Sequence, residues 1–174
     1  MSQRPSWRFM LGHPARLIAL GFGSGLAPFA PGTFGTAWAW ATYVLAERFL
    51  APVPWGWVLL AGTAVGLWAC TRCQQHMGQG DPGAIVWDEV LAFWLVLWVL
   101  NPLSTWQQAI AFALFRFFDA VKPQPVAWAD ALFELRPGDA IDWRHGFGNL
   151  LDDFVAAGAT LLTWALALTL WRQV

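Results

Sequence analysis

Five apolar blocks, approximately 36–51, 55–71, 89–101, 105–119 and 154–171, run through this chain, and acidic residues gather at their ends. Asp88 and Glu89 stand at the start of the third block, Arg116 and Asp119 at the end of the fourth, and Asp152 and Asp153 at the start of the fifth. A backbone in hydrocarbon must satisfy its own hydrogen bonds, so such blocks fold as helices rather than as strands with open edges. Ionisable groups at the edge of membrane helices are functional candidates by default, because unpaired charge is expensive there. Acids drawn from three different helices point to one shared task, and holding a divalent metal ion is the most direct.

Composition agrees with a membrane protein. The chain is 57% hydrophobic and only 12% charged, too little charge to wet the surface of a soluble domain of 174 residues. Its 14 tryptophans fit the interfacial belt, where indole rings are favoured. A net charge of −1 offers no basic field for nucleic acid. Residues 1–174 are expected to form one domain of all-α class, a polytopic membrane bundle of four to five spanning or partly spanning helices behind a Gly/Pro-rich N-terminal loop. A spanning helix needs about 20 residues, with roughly 17 as the lower bound. Several blocks are therefore short, 89–101 above all unless Ile85, Val86 and Trp87 extend it. Pro52, Pro54 and Asn101-Pro102 supply the breaks.

Threading five spans puts the N-terminus and the 72–88 and 120–153 loops on one side of the bilayer. That side holds Arg4, Arg8, Arg16, Arg72, Arg116, Lys122, Arg136 and Arg144, whereas the other holds only Arg48 and Arg172. Every acid except Glu47 shares the first side, which the positive-inside rule makes cytoplasmic. Gly21, Gly23, Gly25, Pro28 and Pro31 interrupt the apolar stretch after Arg16, so it reads as a structured loop and not as a signal-peptide core. Cys70 and Cys73 form a lone C-x-x-C, read as two ordinary thiols near a helix end.

Four segments carry the chemistry. Residues 21–36, GFGSGLAPFAPGTFGT, allow backbone N–H groups to cradle an anion, although the P-loop lysine is missing and Thr33 and Thr36 are alternatively helix caps. IVWDE at 85–89 sets two carboxylates at a helix start, where they also complement the helix dipole, and LLDDF at 150–154 repeats the arrangement. Mg²⁺ prefers such ligands, one or two carboxylates completed by water and substrate phosphate. FRFFDAVKPQP at 115–125 places Arg116 and Asp119 on one helical face, either as an intrahelical ion pair or, with Lys122 following, as cations beside metal-binding acids that would complement a phosphate. The polar 130–148 stretch is expected on the cytoplasmic side, where His145 reads as a solvated loop histidine before an acid or base; His13 and His76 are weaker candidates.

Together these segments resemble the bacterial phosphatidylglycerophosphatase A family over nearly the whole chain. The resemblance implies a small helical enzyme of the inner membrane, facing the cytoplasm, that uses Mg²⁺ to remove the terminal phosphate of phosphatidylglycerophosphate in phospholipid biosynthesis. It implies Asp88, Glu89, Asp119, Asp152 and Asp153 as the catalytic acids, with Asp88, Glu89, Asp152 and Asp153 holding the metal. Arg116 and Lys122 would bind phosphate together with Ser24, Gly32, Thr33 and Gly35 of the loop, where Gly23 and Pro31 also match. Asp119 and Glu89 are both candidates for the general base, and an aspartyl-phosphate route stays open. The D-x-D-x-T, C-x5-R and histidine-bearing phosphatase patterns are missing, which favours direct metal-assisted hydrolysis. The region between Trp128 and Gly146 is longer than the family pattern. A phosphotransferase of the CDP-alcohol type would carry D-G-x2-A-R, which is absent; an ion or proton carrier would place its acids near mid-span, not at block ends.

Overall fold

The computed structural model describes residues 5–79, 82–133, 135 and 139–171; Arg4, Asp81, Glu134, Arg136 and Arg172 of the charge count lie outside them. The described residues are helical, with no strand among them. Two short helices, α1 (Trp7–Leu11) and α2 (Pro14–Ala19), lead through a 3₁₀ segment (Gly21–Leu26) into α3 (Pro31–Phe49) and α4 (Trp55–Met77). Then follow α5 (Trp87–Leu100), α6 (Thr105–Val121), the short α7 (Val126–Ala131) and the long α8 (Trp143–Trp171).

The five apolar blocks correspond to α3, α4, α5, α6 and α8, but two boundaries move. Helix α3 begins at Pro31, behind Ala30 in the left-handed region (φ 45°), so Thr33 and Thr36 lie inside the helix and cap nothing. Thr36 instead donates through Oγ1 to the Gly32 carbonyl at 2.8 Å. Helix α8 begins at Trp143, not near residue 154, which puts Asp152 and Asp153 in its third turn rather than at its start. Its two early glycines sit where a side chain would collide with neighbours, Gly146 against Thr71 and Gly148 at 2.7 Å from the Phe133 Cβ. Close packing therefore outweighs their weak helix propensity. Gly and polar residues in this stretch gave it the look of a loop.

Helix α5 is the axis of the bundle. Beyond its first turn it has no polar face, and a helix apolar all round must be enclosed. It packs against α2, α3, α4, α6 and α8, with Val90, Leu91, Ala92, Phe93 and Val96 fully buried. Gly62 and Gly66, spaced four apart on α4, let it come close, a small-xxx-small spacing that allows two helix backbones to approach. A Cβ at Gly62 would lie 2.6 Å from Leu91 Cδ2, and one at Gly66 2.7 Å from Trp87 Cδ1. The Trp87 indole N–H donates to the Gly62 carbonyl at 3.1 Å across the same seam.

Not all tryptophans sit in an interfacial belt. Trp55 and Trp87 are buried, and indole N–H groups tie helices together: Trp94 to the Ala39 carbonyl at 2.9 Å, Trp40 to Gln108 at 2.6 Å, Trp55 to Glu47 at 2.6 Å. Trp57, Trp106 and Trp171 do face outward, beside exposed Phe49, Leu60, Leu162, Leu166 and Leu170. One described helix, α8, is by itself long and apolar enough to cross a bilayer. The 14-residue α5 is roughly 21 Å long, short of the ~30 Å hydrocarbon core.

Gly66→Leu is expected to overpack the α4–α5 seam and cost about 1–3 kcal/mol, read as a lower Tm in detergent. Gly158→Leu, where an added Cβ meets nothing within 4 Å, should leave Tm nearly unchanged.

Candidate active site

The first turn of α5, the last turns of α6 and the third turn of α8 meet at one end of the bundle. The start of α5 is fixed there by Val86, whose N–H donates to the Ala19 carbonyl of α2 at 2.9 Å. A cavity of about 490 Å³ opens at this junction, lined by Asp88, Glu89, Asp119, Lys122, Asp130, Asp152 and Asp153. Asp88, Asp119, Asp152 and Asp153 are all buried.

Asp88, Glu89 and Asp153 form the tightest group: each offers a carboxylate oxygen, all within 4.8 Å of one another. Glu89 Oε1 lies 3.7 Å from Arg116 Nη1, whereas its buried Oε2 has no hydrogen-bond partner among the described residues. Arg116 pairs with Asp119 one turn further along α6 and reaches Thr36 Oγ1 at 3.5 Å. Gly32 of α3 faces this knot: a Cβ there would strike the Glu89 carboxylate and sit 3.0 Å from Arg116 Nη1. Lys122, the C-cap of α6, holds a left-handed conformation (φ 48°). Its ammonium bridges Asp130 of α7 and Asp152 Oδ2 of α8, the latter at 2.7 Å. Burial by itself would lower its pKa, but its hydrogen bonds and charge attraction to Asp130 and Asp152 prevail and hold it above the ordinary lysine value.

The residues present fit a hard divalent cation. Six carboxylates, all but Asp130 largely buried, share this end of the bundle with two cations, an excess of negative charge that needs compensation. Three of them converge within ligand reach, and the orphaned Glu89 Oε2 is an oxygen donor still to be used.

The sequence-predicted residues divide. Asp88, Glu89, Asp119, Asp152, Asp153 and Lys122 line one cavity, and Arg116 and Gly32 lie against Glu89. Asp152, expected among the metal ligands, faces Lys122 and stands outside the close carboxylate group. Arg116, expected as a phosphate binder, lies behind the cavity wall, engaged by Asp119 and Glu89. Three loop residues are elsewhere. Ser24 donates to the Gly21 carbonyl at 2.9 Å, Gly35 leaves room for Val86, and Thr33 does not line the cavity. Asp130 was missed: it is one acid in a polar stretch, and its only sequence signal is its nearness to Lys122. The histidines serve other ends. His13 caps α2, His76 accepts from Arg16 at 3.0 Å, and His145 accepts from the Asp142 N–H at 3.2 Å. Cys70 and Cys73 are buried free thiols. Beside the acidic cavity lies a second of about 460 Å³, lined largely by Leu26, Pro28, Phe29, Met77 and Pro82, and the two share Gly83.

A helical bundle that gathers carboxylates and a lysine around one cavity is equipped to hold a cation and a phosphate side by side, the site of a phosphatase. Residues 17–168 match the family model of phosphatidylglycerophosphatase A, and the chain belongs to that family. It is 36% identical to the phosphatidylglycerophosphatase A of Escherichia coli K12 over 150 residues, covering 86% of this chain and 80% of the relative. With the Haemophilus influenzae phosphatidylglycerophosphatase A it shares 37% identity over 158 residues, 88% of each chain. A Bacteroides thetaiotaomicron protein, provisionally named a phosphatidylinositol-3-phosphatase, is 34% identical over 158 residues, 87% of this chain and 91% of its own. No solved structure matches.

Lys122→Met leaves Asp152 buried without its cation and is expected to cost about 3 kcal/mol of stability. Adding Asp152→Asn should restore part of that loss in a double-mutant cycle followed by thermal unfolding.

Proposed function

We propose that this phosphatase hydrolyses phosphatidylglycerophosphate to phosphatidylglycerol and inorganic phosphate at the cytoplasmic face of the bacterial inner membrane, as a single multi-pass domain. The observation that carries the chemistry is the convergence of Asp88, Glu89 and Asp153 within 4.8 Å beside a lysine. The lipid substrate follows from the family and from the names of its relatives. The outward-facing apolar side chains and the cation bias of one side support the membrane setting. Helices as short as α5 would cross only part of the hydrocarbon, enclosed by the longer ones. Acids gathered at one end of the bundle favour a hydrolase over a relay through the membrane.

Asp88, Glu89 and Asp153 would hold Mg²⁺, with Asp152 acting through Lys122. The bound ion would polarise the phosphoryl oxygens and lower the pKa of a water molecule. Lys122 neutralises the negative oxygens of the phosphate, and Arg116, paired with Asp119 and lying against Glu89, holds both in place. Asp119, on the cavity wall, takes the proton of the attacking water. The glycerol and acyl part of the lipid runs past Gly83 into the neighbouring apolar cavity.

Purified protein is expected to release phosphate from phosphatidylglycerophosphate with Mg²⁺ and to stop with EDTA. Asp88→Asn and Asp153→Asn should each lower kcat/KM at least about 100-fold and raise the Mg²⁺ needed for half activity. Undiminished turnover in EDTA, or in both variants, overturns the metal site.

A further inference from the structure

Lys122 has one anchored partner and one loose one. Asp152 sits on the 29-residue α8, its side chain 10% exposed, with Oδ2 2.7 Å from the ammonium. Asp130 sits on the six-residue α7, its side chain 46% exposed, and touches the same ammonium from the solvent side. Both acids line the cavity that contains the carboxylate group. An exposed ion pair is weak, because water replaces either partner at little cost, whereas a buried partner cannot leave without stranding its charge.

We propose that Asp130 is a phosphate-competing residue: its carboxylate occupies Lys122 on the side that a bound phosphate would take, yields to the substrate, and recaptures the ammonium as product phosphate leaves. The inference rests on the phosphatase reading of this site and adds how it lets go of product. Phosphate brings at least one full negative charge to an ammonium that already has two carboxylates. Like-charge repulsion among the three disfavours holding all of them, and the exposed Asp130 is the one that water can stabilise after it swings away. Asp152 stays, so Lys122 keeps its place while changing partner. The recaptured pair lowers the affinity for free phosphate, which a hydrolase working in a phosphate-rich compartment needs in order to empty its site.

The test compares wild type, Asp130→Asn and Asp130→Glu in two measurements. One is inorganic phosphate binding to the Mg²⁺-supplemented protein by titration calorimetry; the other is steady-state hydrolysis of phosphatidylglycerophosphate. Asp130→Asn is expected to bind phosphate about fivefold more tightly and to lower KM by a similar factor. Asp130→Glu, which keeps the charge, should stay within about twofold of wild type. Unchanged or weaker phosphate binding in Asp130→Asn overturns the proposal, as does a collapse of kcat with KM unchanged, which would place Asp130 in the chemistry itself. A mere loss of packing would lower Tm without tightening phosphate binding. If wild type fails to hydrolyse the lipid, the substrate assignment falls, and the calorimetric comparison still decides the role of Asp130.

Discussion

Buried negative charge is the constraint from which the rest of this structure follows. Asp88, Asp119, Asp152 and Asp153 are almost wholly removed from solvent, with Glu89 close behind, at the end of a bundle whose interior is otherwise apolar. Carboxylates in such surroundings must be paired or bind metal. The fold answers with two cations set at different depths. Arg116 knits Glu89 of α5 to Asp119 of its own helix, and Lys122 reaches across to Asp152 of α8. These ionic links join the ends of α5, α6 and α8, so the charge that makes the site expensive also fixes the elements that form it.

The apolar half of the bundle keeps that arrangement in register. Helix α5 carries two of the acids in its first turn and nothing polar after it, so enclosing α5 is what places Asp88 and Glu89. Gly62 and Gly66 admit it against α4, and Gly35 admits Val86 against α3. At Gly32 close packing and chemistry meet, because the space left by the missing side chain is filled by Glu89 and Arg116. The glycine-rich segment thus lets ionic groups approach the backbone of α3.

Much of this was legible in the sequence. Block ends carrying acids gave the helices and the gathering of acids at one end of the bundle, since hydrophobic runs and charge placement are properties of single segments. What escaped depends on pairing between segments. Asp152 and Asp153 are adjacent in sequence and look equivalent, yet on a helix successive side chains point about 100° apart, so one turns to Lys122 and the other to Asp88 and Glu89. The pairing of Arg116 with Asp119 follows from their spacing on one helix, whereas its approach to Glu89 of α5 does not. The early start of α8 was hidden by glycines that stand where a side chain would strike Thr71 and Phe133. Asp130 carried no signature beyond its nearness to Lys122, because its position is set by the fold of α7 against α8.

The different depths of the two cations give them different tasks. Arg116 is held on three sides, paired with Asp119 and lying against Glu89 and Thr36. It can therefore stabilise the acids but has little freedom to follow a substrate. Lys122 stands at the end of its helix, at the border of α7, with a single buried partner and a flexible stem. A point charge on such a stem can trade one anion for another without disturbing the helices behind it. A phosphatase site of the kind proposed would use both kinds of cation, one to hold the acids together and one to exchange partners.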